Sequence, residues 1–497
     1  MKHRASFLLK NSVILLFGRV SEFLFGFISL ILIARYLGAE QFGDYAFVRG
    51  IGIVLTPIIA IGSTLVLLRE LSVKKEQMHV MLSSAMIMQT FSCIMLLLIS
   101  AAVFSFLPAT SSEIHICTYL VIISQTLFVM QKTFMTVFLA RERVIYDSAV
   151  SIFSRFVALL LFVFVWRMDL GMIALFCVPV AAFLTGTLTG CYLVGRHYFV
   201  PKPILSFQTM GFLLRESWTL SLSNIIAQGY MNVGLFLLKA YSGRAQISFF
   251  QIPRRFIEPL NMLPRAVMPA FQPTLSHLGR DEETREDLTS TYGRILKYML
   301  IFSLPVCVFV MIYAAPVISL SVGREFSGAV IPFQITIWTI VFMSVNILNV
   351  HLLTALTKQW IIAISNGCAL AFCFLASLWL IPAYGAIGAS VAFTCGSFVM
   401  FAMNYYFASK HLGRVGFVST AIRPVIASAV MYIVLNSTSN LPIAVQAVSV
   451  LFGLVVYFGL LVILKTIAAE EIELIRHLVK RIANKVGLLK SVHTDDR

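Results

Sequence analysis

The sequence predicts an all-α polytopic membrane protein: two six-helix lobes related by a parallel repeat, then two extra C-terminal transmembrane helices, about 14 spans in all. Three observations carry this prediction. Of 497 residues, 59% are hydrophobic and only 12% are charged, against about 25% charged in a soluble domain. Apolar runs recur along the whole chain at the roughly 20 residues a helix needs to cross the hydrocarbon. The cations, finally, sort to alternate connections between those runs. A mean hydropathy of +0.90 excludes a soluble enzyme, a nucleic-acid binder and a disordered scaffold.

In chain order the runs lie at roughly 12–34, 45–67, 80–107, 114–138, 147–166, 171–194, 216–238, 247–275, 295–315, 331–355, 360–381, 386–407, 422–436 and 442–464. The eighth carries Pro253, Pro259, Pro264, Pro269 and Pro273, so it is expected to be kinked or broken. The thirteenth is short, and twelve spans is the alternative count. The first run is no signal peptide: Arg19 and Glu22 interrupt a stretch too long for an h-region. The eight cysteines lie in apolar runs with no CxxC pair and read as small core residues. His115 and Cys117 alone are too few for a metal site, and no metal or cofactor is expected.

Fourteen spans put both termini on one side. With the N-terminus inside, the cytoplasmic connections and tail hold 25 Lys+Arg and the outer loops hold five, Arg35, Arg167, Lys239, Arg244 and Arg324. The positive-inside rule then accounts for most of the net charge of +16. Every outer loop is short, the longest about 15 residues around Val317–Val330. A membrane glycosyltransferase or polymerase usually needs a larger outer loop to hold its acceptor, so enzyme chemistry is not expected.

A shift of 205 residues relates the two halves. Phe7-Leu8-Leu9-Lys10 falls on Phe212-Leu213-Leu214-Arg215, and Ser12 falls on Ser217. Tyr36 falls on Tyr241, Gly38 on Gly243, Gln41 on Gln246 and Arg49 on Arg254. Parallel repeats about an axis along the membrane normal occur in transporters whose site lies between the halves. The division that follows is an N-terminal six-helix lobe over 1–200 and a C-terminal six-helix lobe over 201–415. Two further helices (416–464) and a basic cytoplasmic tail (465–497) complete it.

Eight cations fall inside the spans: Arg19, Arg49, Lys132, Arg155, Arg254, Arg255, Arg265 and Lys297. Each would cost about 2.5–3.5 kcal/mol or more facing lipid near the bilayer centre, so they must snorkel, pair or line water. Lys297, near a helix end, is placed to snorkel, and Arg155 fits either role. Helical spacing gathers others: Arg254, Glu258, Asn261 and Arg265 form one stripe. Ser217, Ser221, Asn224 and Gln228 form another, as do Ser12, Arg19, Glu22 and Gly26, and Gln125, Lys132 and Thr136. Buried ion pairs, Arg19 with Glu22 and Arg254 with Glu258, would merely hold the bundle. They fail as a total, because eight cations face only two acids deep in the spans, Glu22 and Glu258. The excess needs an anion, and the Arg fork grips phosphate oxygens. Arg19, Arg49, Lys132, Arg254 and Arg255, with Arg155 and Arg265, are the candidate substrate-binding cations. Asn224, Gln228 and Asn261 are candidate polar cavity residues. His351, Asn346 and Asn349 read as interhelical hydrogen-bonding groups more readily than as ligands.

The segment Leu30-Ile31-Leu32-Ile33-Ala34-Arg35-Tyr36-Leu37-Gly38-Ala39-Glu40-Gln41-Phe42-Gly43-Asp44-Tyr45, after Lys10-Asn11-Ser12, resembles the first hairpin of polysaccharide transporters of the Wzx-type O-antigen flippase kind. These belong to the multidrug/oligosaccharidyl-lipid/polysaccharide exporter superfamily. The R-Y-L-G-x-x-x-F-G-x-Y pattern is fairly specific; span count, repeat and cationic cavity extend the likeness over the chain. The resemblance implies alternating access between two lobes. It implies a lipid-linked oligosaccharide, usually on undecaprenyl diphosphate, moved from the cytoplasmic to the periplasmic leaflet of the bacterial inner membrane. Membrane lipids, a polysaccharide polymerase and a chain-length regulator are the implied partners, and a proton or sodium gradient the implied drive. Glu22 and Glu258, the only acids deep in the spans, are the candidate coupling groups.

Three other functions compete. A lipid II (peptidoglycan precursor) flippase would use the same cationic cavity, since both substrates present a diphosphate. A cation-coupled multidrug exporter would need acids where this chain has cations. A membrane glycosyltransferase or polymerase is disfavoured by the short outer loops.

Overall fold

A computed structural model of the protein describes residues 2–60, 64–73, 77–106, 112–200, 202–278, 285–412, 416–439 and 441–466. The side chains of residues 2–13, Lys10 and Ser12 among them, and the basic tail from 467 onward lie outside the described residues. Over the described residues the chain is all helix. In order these are α1 (Lys2–Ile59), α2 (Thr64–Val73), α3 (Met78–Phe106), α4 (Ser112–Ala140) and α5 (Val144–Met168). Next come α6 (Gly171–His197), α7 (Phe207–Tyr241), α8 (Arg244–Ile257), α9 (Met262–Leu278) and α10 (Arg285–Ser321). A 3-10 turn (Arg324–Ala329) leads into α11 (Val330–Thr336), α12 (Thr339–Ala355), α13 (Gln359–Leu412), α14 (Phe417–Ser437) and α15 (Ile443–Ile463).

Among the described residues, nine helices are long and apolar enough to cross a membrane. They become ten if the turn and α11, bent by 43° against α12, count with it as one span. The difference from about 14 has two physical sources. At 58 and 54 residues, α1 and α13 would run roughly 80–90 Å if straight, against about 30 Å of hydrocarbon. Each is interrupted at a glycine with non-helical backbone, Gly38 (φ 67°, ψ −179°) and Gly385 (φ 54°, ψ −127°). Each therefore has the length for two crossings. Helix α7 and the pair α8–α9 carry too many polar groups to meet an apolar criterion. The proline-rich eighth run is broken as expected: α8 ends at Ile257 and α9 starts at Met262.

The chain forms two compact units, Met1–Thr274 with Ala314–Ala408, and Leu275–Tyr313 with Ser409–Arg497. In the first, α1 packs against α4, α5, α7 and α8, and α6 closes over α4 and α5. Phe134, Met135, Val137 and Phe138 of α4 bury against Leu67, Leu71, Met81 and Leu82. Gln89 donates to the Thr133 hydroxyl within this packing at 2.8 Å, a polar link worth having where no water competes.

The R-Y-L-G-x-x-x-F-G-x-Y segment ties one end of this unit together. Arg35 donates to the carbonyls of Ser321 (2.7 Å) and Leu320, the last of α10, which helix geometry leaves without intrahelical partners. Tyr36 donates to Asp169 at 2.8 Å and accepts from the Gly171 amide at 2.9 Å. Gly38 supplies a left-handed φ that a side chain would resist. Phe42 is buried edge-on to Phe326, with centroids 6.0 Å apart, and Tyr45 lies 5.0 Å from Phe176. Asp44 accepts from Lys239 at 2.7 Å and stands 3.3 Å from Arg244. A Cβ at Gly43 would collide with the Arg244 carbonyl, and Ser248 donates to the Ala39 carbonyl. The shift of 205 residues lays Ala39 on Arg244 and Gly43 on Ser248. That shift therefore exchanges the contacts Gly43–Arg244 and Ala39–Ser248.

In the second unit the first part of α10 meets α14 and α15. These last two pack as a hairpin, with Gly453 against Leu435 and Met431. Tyr457, fully buried, donates to the Ile301 carbonyl at 3.0 Å, and the hydroxyls of Tyr313 and Ser449 lie 3.3 Å apart.

Candidate functional site

A cavity of about 410 Å³ lies inside the first unit, walled by Arg19, Glu22, Arg49, Arg155, Arg255, Glu258 and Arg265. The first part of α1 contributes Arg19, Glu22 and Gly26, one helical face. Past the Gly38 kink, the same helix returns Arg49, one turn beyond Tyr45. Arg155 comes from α5, Arg255 from α8, Glu258 from the break before α9, and Arg265 from α9. The broken eighth run thus bends its charges around the cavity instead of holding them along one straight rod.

Three smaller cavities share these walls. One of about 210 Å³ adds Tyr45, Ser124 and Gln125 to Arg49 and Arg155. Another of about 200 Å³ adds Arg254, Gln228, Gln251, Asn261, Thr336 and Thr339 to Arg255, Glu258 and Arg265. A third, of about 250 Å³, joins Arg19 and Glu22 to Lys132 and Asp147. The stripe Arg254, Glu258, Asn261 and Arg265 does line one space. Asn224 is exposed and lines none of the four. Gln228 and Asn261 line the cavity of about 200 Å³, and the Asn261 Oδ1 is buried without a hydrogen-bond partner among the described residues.

The ion pairs differ from those that helical spacing suggested. Glu22 meets Lys132 of α4 at 3.4 Å, not Arg19. Lys132 also lies 3.5 Å from Asp147 and donates to Ser151 at 2.8 Å. Glu258 pairs with Arg255 at 2.9 Å, not with Arg254, whose guanidinium is held elsewhere. Arg254 is clamped between Phe393 (4.7 Å) and Phe250 (5.1 Å), with Gln251 as a weak acceptor at 3.5 Å. Arg155 lies over the Phe183 ring at 5.4 Å. Among the described residues, no carboxylate stands within ion-pair distance of Arg19, Arg49, Arg155 or Arg265.

Five guanidinium groups against two carboxylates leave the cavity of about 410 Å³ strongly positive, between helices whose other faces are apolar. In such a medium the attraction for an anion is several times its value in water. Planar forks converging from α1, α5 and α9 suit tetrahedral phosphoryl oxygens. Sequence reasoning missed Asp147 and Ser151, although Asp147, Ser151 and Arg155 stand at i, i+4 and i+8 on α5. His351 meets Gln272, and Asn346 accepts from Asn404 at 2.8 Å, so both serve as interhelical links.

Residues 8–279 match the family described as polysaccharide biosynthesis protein. The chain belongs to the polysaccharide biosynthesis protein family. A protein of Shigella flexneri described as a putative O-antigen transporter is 24% identical over 400 residues, covering 78% of this chain and 94% of that one. This family member shares its fold with solved transporters. The lipid II flippase MurJ in an inward closed conformation superposes with a TM-score of 0.69 at 14% identity, over 92% of this chain and 99% of MurJ. An inward-facing multidrug resistance MATE family transporter of the MOP superfamily gives 0.64 at 14% identity, over 79% and 94%. The polysaccharide biosynthesis protein described here is thus all-helical over its described residues, carries at least nine helices there long and apolar enough to cross a membrane, and shares the fold of the MurJ and MATE transporters.

Proposed function

We propose that the chain is a flippase. It carries an undecaprenyl-diphosphate-linked oligosaccharide, an O-antigen or other surface-polysaccharide repeat unit, from the cytoplasmic to the periplasmic leaflet of the inner membrane. The carrying observation is the cavity of about 410 Å³ lined by five arginines and two glutamates. A diphosphate diester brings two negative charges, and among the described residues four of those arginines have no carboxylate within ion-pair distance. Amides and hydroxyls at Gln228, Gln251, Asn261, Thr336 and Thr339 offer the donors and acceptors that sugar hydroxyls need.

The transport cycle is alternating access between an N-terminal lobe (1–200) and a C-terminal lobe (201–415), with both termini cytoplasmic. The exchanged contacts Gly43–Arg244 and Ala39–Ser248 support the two-lobe division. The tied end of the unit, which the Lys/Arg bias assigns to the periplasm, is the gate that must part for release. Glu22 and Glu258 carry the coupling ion, each held by a cation that could release it on protonation. The likeness to the Shigella flexneri protein extends over 94% of that chain in sequence, whereas that to MurJ is one of fold. This favours an O-antigen-type substrate over lipid II, and the cationic excess disfavours a drug cation.

The deciding experiment is the leaflet location of lipid-linked oligosaccharide in cells lacking this protein, complemented with wild type or with Arg49→Ala/Arg155→Ala. Cytoplasmic build-up relieved by wild type alone is the expected result. Normal arrival in the periplasm without the protein would sink the proposal.

A further inference from the structure

A second basic pocket lies in the other unit. It measures about 390 Å³ and is lined by Ser290, Arg294, Lys297, Ser419, Arg423 and Thr466, with no acidic residue among its described lining. It forms where α10 and α14 begin and α15 has just ended, the end that the Lys/Arg bias assigns to the cytoplasmic side.

We propose that this pocket binds a phosphate group, presented by an anionic phospholipid of that leaflet. The site is built, not a loose patch of surface charge. Arg423 is steadied by donating to the Lys465 carbonyl at 3.3 Å, and Arg294 by donating to the Ser290 hydroxyl at 3.4 Å. Lys297 lies over the Tyr298 ring at 5.0 Å. Thr466 is only 6% exposed, yet its Oγ1 has no hydrogen-bond partner among the described residues. A buried hydroxyl left unpaired costs free energy, and a phosphate oxygen in the pocket would satisfy it. The neighbouring face of α14 says where the phosphate comes from. Val418, Ile422 and Ile426, one helical stripe beside Ser419 and Arg423, are 73%, 51% and 46% exposed. That stripe offers acyl chains a path beside the cationic head site, as basic pockets between transmembrane helices do for lipid head groups.

The test is native mass spectrometry of the full-length protein in neutral detergent, titrated separately with phosphatidylglycerol, phosphatidylcholine and inorganic phosphate. Wild type should hold one phosphatidylglycerol in preference to phosphatidylcholine. Arg294→Ala/Arg423→Ala should weaken it about tenfold or more, as loss of two charge-assisted contacts requires. Thr466→Val should weaken it severalfold, and Arg294→Lys/Arg423→Lys should restore part of the binding. Millimolar phosphate should leave the lipid bound. Equal phosphatidylglycerol affinity in wild type and variants, or no preference over phosphatidylcholine, would overturn the proposal. Inorganic phosphate binding as tightly as the lipid would assign the pocket to a soluble anion and overturn the lipid source. Should the double alanine variant fail to fold, Thr466→Val alone decides.

Discussion

Asp44 and Lys239, 195 residues apart in the chain, meet at 2.7 Å with the Asp44 side chain only 8% exposed. Arg244 stands on the other carboxylate oxygen, so one buried acid holds two cations of the facing segment. The pair belongs to the tied end of the first unit.

Asp44→Ala should therefore lower stability by roughly 3 kcal/mol, the scale for removing one partner of a buried pair. Lys239→Ala should cost less, because Arg244 still faces the acid. The reversed pair Asp44→Lys with Lys239→Asp should recover part of the loss. Thermal unfolding midpoints in detergent check all three.

At the kink, Gly38→Ala forces a side chain into a left-handed backbone and should cost about 1–2 kcal/mol. Gly43→Ala acts differently, by pushing the Arg244 backbone away. A combination of Gly43→Ala with Asp44→Ala should then fall short of the sum of the singles, since both loosen one contact. A double-mutant cycle on unfolding midpoints measures this.

The cavity arginines should divide into two classes. Arg49→Ala and Arg155→Ala each remove a charged hydrogen-bond donor worth about 1.5–3 kcal/mol, so binding of a diphosphate-bearing lipid should fall at least about tenfold with little change in unfolding midpoint. Arg254→Ala should instead lower the midpoint, because it empties the slot between Phe250 and Phe393. Binding isotherms and melting curves on the same samples separate the two.

Lys132 is the shared partner of Glu22 and Asp147. Lys132→Met should be more disruptive than Glu22→Gln, because it strands two carboxylates instead of relieving one. Glu22→Gln/Glu258→Gln should abolish the dependence of transport on an imposed ion gradient. Transport in vesicles with and without that gradient reads this directly; an undiminished dependence would remove both acids from the coupling role.

How much was legible in the sequence follows from what periodicity reports. A 3.6-residue repeat places groups on one face of their own helix, so the stripe Arg254–Glu258–Asn261–Arg265 and the proline break after Ile257 could be read directly. It carries nothing about the neighbour. Lys132 finds Glu22 only because α4 packs on α1, and Glu258 takes Arg255 while Phe250 and Phe393 hold Arg254. Asn224 fails for the same reason: it shares a face with Gln228, but at that turn its side chain is exposed and lines none of the four cavities. The hairpin motif was legible as a family signature, while its physical task emerges only from Asp169, Ser321 and Lys239, residues far away in the chain. The paired runs 12–34 with 45–67 and 360–381 with 386–407 fall on either side of Gly38 and Gly385, so hydropathy separates stretches that the backbone joins into one long bent helix.

The five-to-two excess of cationic over acidic groups in the cavity of about 410 Å³ means that, on the proposed function, the unloaded carrier is never electrically bare. Small anions from the surrounding electrolyte must accumulate there, drawn by a field that low-dielectric walls concentrate. Loading is then an exchange, in which each arriving phosphoryl group evicts chloride or its like. The apparent affinity for cargo should decline as ionic strength rises, and a cell that alters its internal salt would retune the carrier without touching a single side chain.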